Sequence, residues 1–107
     1  MNERLKIELL YFEGCPHFKE TFRILKEVLK EESLPSSVVQ ICIDTDEEAE
    51  RFKFLGSPTV RVNGVDVDPA VRETTDFGFR CRLYWLNGKA TPHPPKEMIR
   101  EAIKKFI

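Results

Sequence analysis

The sequence predicts an α/β fold: a central mixed β-sheet flanked by helices in the order βαβαββα, as a single domain over residues 1–107. Three observations predict it. Apolar and polar residues alternate near the start of the chain and then give way to an apolar repeat of helical spacing. A run rich in β-branched residues follows that helix, an arrangement that demands a parallel pair joined by a crossover. Asn63–Gly64, set between two short apolar runs, then marks a tight antiparallel hairpin.

Each element has its own signal. Residues 5–12, LKIELLYF, alternate and then run apolar, as a buried strand does. Gly14 ends that strand, and Pro16 opens a helix, where its missing N–H costs nothing. Phe18, Phe22, Leu25 and Leu29 form one apolar face, while Lys19, Arg23, Lys26, Glu27 and Lys30 solvate the rest. The helix should end near Glu32, ahead of SLPSS. SVVQICID, residues 37–44, supplies the second strand. Thr45 and Glu48 make a capping box for a short helix over TDEEAERFKFL, stopped by Gly56. PTVRV and VDV flank the hairpin. Residues 68–80 show no clear period, so 68–94 is expected to be an irregular insertion, with CRLYW as a short strand turning at Asn87–Gly88. TPHPP leads into a last helix from about Pro95, with Met98, Ile99, Ala102, Ile103 and Phe106 on one side.

Composition narrows the function classes. Lys+Arg number 17 against 18 Asp+Glu, a balance that argues against a nucleic-acid or anionic-membrane binder, whose affinity rests on clustered positive charge. MNERLKIELLYF lacks the uninterrupted apolar core of a signal peptide, and no run approaches the roughly 18 apolar residues of a membrane span. The expectation is a cytoplasmic protein, in which three cysteines, an odd number, do not make a disulfide framework.

Each thiol is therefore weighed by itself. Cys15, between strand and helix, meets the unpaired amides and positive dipole end that favour a thiolate; the alternative is a small buried hydrophobe. His17, in the same turn, would add positive charge when protonated or relay a proton when neutral, or else be a polar residue on an exposed turn. Cys42, between Ile41 and Ile43, is accounted for by a core strand position. His93, among prolines, reads as a surface loop residue, and Phe52, Phe54, Tyr84 and Trp85 as core and rim. TDEE and DVDP are acidic, but capping and a turn account for them.

The order of elements, the cysteine in YFEGCP and the Ser57–Pro58 step in FLGSPTVRVNG resemble the thioredoxin-like superfamily. DFGFRCRLY adds a likeness to small thioredoxin-domain proteins, some of them described as alkylmercury-lyase-like. The resemblance covers most of the chain, residues 68–94 least. It implies that Pro58 is cis and lies against Cys15, which matches the first cysteine of the family motif. Phe18 stands where that motif has its second cysteine, a departure from the dithiol pattern.

What the resemblance implies is thiol–disulfide exchange by a Cys15 thiolate, completed by Cys81 or by a small thiol such as glutathione. A Cys15–Cys81 bridge needs Cα atoms within about 7 Å. If the segment around Cys81 folds over the active end of the sheet, Arg80 and Arg82 would lower the Cys81 pKa and bind an anionic substrate. Otherwise Cys81 is a strand residue between solvated arginines. Backbone groups at Ser57 would be open to pair with a substrate chain. Catalysis thus falls to Cys15 and Cys81, and substrate contact to His17, Ser57, Pro58, Arg80 and Arg82. The expected partner is a disulfide-containing protein or a small thiol, with no cofactor and no resident metal. Two rivals stay open. One is a non-catalytic module that docks a peptide, which Phe18 favours; the other is capture of a soft metal or organomercurial by Cys15 with Cys81. Cys15 and His17 form a C-x-H pair, but no second closely spaced ligand pair accompanies it, unlike structural zinc motifs.

Overall fold

Strand β1 (Ile7–Tyr11) organises the molecule because its alternating side chains feed two separate cores. The computed structural model describes residues 5–35 and 37–107. Met1–Arg4, the charged start of the stretch read against a signal peptide, and Ser36 of SLPSS lie outside the described residues. Ile7 and Leu9 point to one side of the sheet, where they join Leu25, Leu29, Val60, Val62, Tyr84 and Ile99. Leu10 points to the other and packs with Ile43, Ala49 and Phe54.

Helix α1 (Phe18–Glu31) connects β1 to β2 (Val38–Cys42), and the two strands pair in parallel. Thr21, Ile24, Leu25, Val28 and Leu29 are the residues α1 buries, the three-and-four spacing of an amphipathic helix. Each fully buried Leu or Val there contributes about 1.5–3 kcal/mol through the water it no longer orders. Helix α2 (Asp46–Arg51) follows, with Thr45 as N-cap: its side chain accepts the Glu48 N–H at 3.0 Å. The Glu48 carboxylate accepts the Asp44 N–H at 2.7 Å, one residue further back than a standard capping box would place it. The far end of α2 is closed by Arg61, which donates to the carbonyls of Phe52 and Lys53 at 2.6 Å.

β3 (Thr59–Val62) runs antiparallel to β1 and turns into β4 (Val65–Asp66). The turn residues Asn63 and Gly64 have φ of 52° and 82°, the left-handed pair that a two-residue hairpin requires. The result is a mixed four-stranded sheet in the order β2-β1-β3-β4. Helix α3 (Lys96–Lys104) buries Met98, Ile99, Ala102 and Ile103 beside α1. Phe106, expected on that face, lies past the helix end and is exposed. Lys96 and Arg100 of α3 reach Glu27, Glu31 and Glu32 of the α1 end, tying the two helices across their solvated flank.

The stretch 68–94 is more ordered than the irregular insertion the sequence suggests. A 3₁₀ turn spans Pro69–Val71, and β5 (Tyr84–Leu86) and β6 (Lys89–Thr91) form a second hairpin with Asn87 and Gly88 at its tip. Among the described residues, no helix is long and apolar enough to cross a membrane.

Candidate functional site

Three stretches of chain meet at one end of the sheet: the turn after β1, the step into β3, and residues 79–82. Gly14, at φ 85°, bends the chain out of β1, and the Cys15 N–H donates back to the Phe12 carbonyl at 3.2 Å. Phe18 N–H then donates to the Cys15 carbonyl at 3.3 Å, a turn that precedes α1. The helix itself begins at Phe18 with His17 as N-cap, later than Pro16 suggests. Cys15 therefore lies two residues ahead of the N-cap, outside the helix rather than in its first turn.

Ser57 links the other two stretches. The Ser57–Pro58 bond is cis, as the resemblance implies, and both residues are buried. Ser57 Oγ accepts the Phe12 N–H at 3.3 Å. Its main chain forms a parallel bridge with Cys81: Ser57 N–H donates to Arg80 O at 2.8 Å, and Arg82 N–H donates to Ser57 O at 3.2 Å. Above this, the rings of Phe12 and Phe79 approach with centroids 5.2 Å apart. The Cys15 turn and Cys81 thus flank the same serine. All three cysteines are free thiols; Cys15 and Cys42 are partly exposed and Cys81 is exposed.

Several sequence expectations change here. The backbone of Ser57 is not open to a substrate chain, because residues 80 and 82 already hold its N–H and its C=O. Arg82 does not face an anion from outside. Its side chain is 5% exposed and grips both carboxylate oxygens of Asp66 at 2.8 and 2.9 Å, with Thr59 Oγ1 at 3.1 Å and the Tyr84 ring beneath it. Burial alone would lower the Arg82 pKa, but the bond to Asp66 and the negative surroundings carry it upward, so the guanidinium keeps its charge. Arg80 does remain at the surface beside Cys81, where it donates to the Asp76 carbonyl and pairs with the Asp76 carboxylate at 3.4 Å.

Cys42 is not a core residue. It ends the edge strand β2 opposite Tyr11, half-exposed, and its thiol donates to Asp44 at 3.5 Å. Burial first, then that bond and the Asp44 and Glu13 charges, push its pKa up and hold it as a thiol. The same partial burial, with Cys42, Glu13 and Asp44 nearby, raises the Tyr11 pKa. Ile43, next along, is the buried member of that stretch.

His17 lies partly buried with its ring 6.5 Å from that of His93. His93 lies in the loop between β6 and α3, as read from sequence, partly buried, with its Nδ1 within 3.3 Å of the Pro94 carbonyl and its ring beside the start of α1. Phe18 packs at a tilt against Tyr11 and stacks on Phe22, at centroid distances of 4.3 and 6.0 Å. Among the described residues, no group of three or more His, Cys, Asp or Glu could hold a metal ion. Two open clefts of about 510 and 560 Å³ lie elsewhere; neither is lined by Cys15 or Cys81.

The chain matches no protein-family model, no curated protein and no solved structure. The site therefore rests on its own geometry. Sequence reasoning missed Phe12, Phe79 and Asp66 as parts of it. Phe12 and Phe79 are 67 positions apart and meet only through the fold, while Asp66 looked like a turn residue in DVDP.

Proposed function

We propose that this chain is a thiol–disulfide exchange protein of thioredoxin-like fold, with Cys15 as nucleophile and Cys81 as the resolving thiol. The observation that carries the reading is Ser57, bonded on one side to the turn that bears Cys15 and on the other to the strand residue Cys81. The sheet order β2-β1-β3-β4, the parallel β1–β2 pair and the cis Ser57–Pro58 step support the fold assignment.

The Cys15 thiolate attacks one sulfur of a disulfide, forming a mixed disulfide and expelling the other sulfur as a thiolate, which takes up a proton. Cys81, as thiolate, then attacks the Cys15 sulfur; a Cys15–Cys81 bond forms and the second half of the substrate leaves as thiol. The protein dithiol is oxidised and the substrate disulfide is reduced to two thiols. External thiol runs the same steps backward to reset the protein. Cys42 is held as a thiol by burial and by Asp44, which suits a bystander. A cytoplasmic setting, with its reducing thiol pool, suits unpaired cysteines of this kind.

The test is paired substitution. Cys15→Ser should abolish reduction of a disulfide substrate, while Cys81→Ser should still form the mixed disulfide on Cys15 and accumulate it, as read by intact-mass analysis. Parent-like turnover in both variants would overturn the mechanism.

A further inference from the structure

We infer that the cleft between the 3₁₀ turn, the second hairpin and α3 binds a free α-amino acid with an apolar side chain. The cleft is open and about 510 Å³ in volume, a size that holds a small organic ligand. Neither Cys15 nor Cys81 lines it, and binding there goes beyond thiol exchange.

Asp68 supplies the first anchor. It is 7% exposed, and one of its carboxylate oxygens accepts the Ala70 N–H at 3.0 Å. No other donor among the described residues bonds that carboxylate. Arg82, which feels its charge, bonds Asp66 instead. Buried carboxylates fill their acceptor sites, so one that lines a cleft while short of donors suits an ammonium.

Arg72 lines the same cleft with the opposite charge. Its Nε donates to the Asp66 carbonyl at 3.0 Å, and its terminal nitrogens make no hydrogen bond or ion pair among the described residues. A guanidinium so placed takes a carboxylate in two parallel bonds. Glu97, Glu101 and Lys105 continue the pattern on the α3 side, with both signs of charge and no ion pair, although Glu101 and Lys105 have the four-residue spacing of one. Toward α1 the same helix behaves differently, since Lys96 and Arg100 there pair with Glu31. The rest of the lining includes buried Val67, Met98 and Ala102, and Trp85, 61% exposed, adds a large apolar surface. An α-amino acid meets all three features: its ammonium goes to Asp68, its carboxylate to Arg72 and its side chain to the apolar wall. A simple amine would leave Arg72 unmet, and a simple carboxylate would leave Asp68 unmet.

Trp85 is the single tryptophan of the chain, so its emission reports this cleft directly. The full chain is titrated with leucine, with N-acetyl-leucine, which lacks the ammonium, and with leucinamide, which lacks the carboxylate, and calorimetry is run alongside. Leucine should shift the emission saturably at millimolar concentration or below. Each blocked form should bind at least about tenfold more weakly, the worth of one charge-assisted hydrogen bond. Arg72→Gln should weaken leucine by a similar factor and leave leucinamide unchanged. Asp68→Asn, which keeps an oxygen for the Ala70 N–H, should weaken leucine and leucinamide alike. Arg72 is exposed, so its variant decides the matter even if the Asp68 variant loses its fold. Absence of a saturable leucine signal by both methods overturns the proposal. So does a blocked form that binds as tightly as leucine, or an Arg72→Gln loss of equal size for leucine and leucinamide.

Discussion

Arg82 shows most directly how one residue can look like a ligand contact and serve the framework instead. Flanking arginines on an exposed cysteine suggest an anion site, and only the fold reveals that one of the two turns inward to Asp66. The pair is enclosed, 5% and 8% exposed, so its worth lies in completeness: a buried charge without its partner is far costlier than no charge at all. Arg82→Leu should destabilise the protein by about 3–5 kcal/mol in a urea titration, because Asp66 would then be left charged and enclosed. Replacing both, Arg82→Met with Asp66→Leu, should recover most of that loss. Additive costs in the two single variants and the double would show that the residues do not act as a pair. Cys81, one position earlier, is exposed because successive side chains of an extended segment point opposite ways.

At the level of elements, local chemistry decided what could be read from sequence. The two Asn–Gly turns, the β1–α1–β2 unit and the Thr45 cap are all written in contiguous residues, and the structure places them where those residues indicate. The start of α1 shifted because Pro16 is spent in a turn whose carbonyl acceptor is Cys15, which delays the helix to Phe18. β2 came out as an edge rather than a core strand, since nothing within VVQIC states which neighbour lies beyond it. Residues 79–82 were legible least of all, because their partners Ser57, Asp46, Phe12 and Asp66 are scattered over four separate stretches of chain. Helix α2 bears on the site through this segment: Asp46, in its first turn, accepts the Phe79 N–H. Thr45→Ala should therefore cost about 1 kcal/mol of stability and also speed hydrogen exchange at the Phe79 amide. Unchanged exchange at Phe79 would separate the cap from the site.

For the whole molecule, Tyr84 couples stability to alkaline pH. Its ring is fully buried, its hydroxyl donates to Pro58 O, and burial raises its pKa above the ordinary 10.0. The folded state therefore keeps a proton that the unfolded chain gives up from about pH 10 upward. Stability contributed by this group is fully present below that pH and declines above it, by at most about 1.4 kcal/mol per pH unit. Tyr84→Phe should show a shallower decline when chemical denaturation is repeated between neutral and alkaline pH; an identical slope would assign the loss to other groups. The bolting of residues 78–84 onto residues 54–66 also bears on dissection. The first half of the chain carries Cys15 and Ser57 yet is no minimal unit, for ending it before Arg82 would strand the Asp66 carboxylate in the interior. A backbone nick in the exposed stretch 72–76 is a different matter, since it severs none of these anchors: the two fragments would remain clasped and could reassemble as complementing halves.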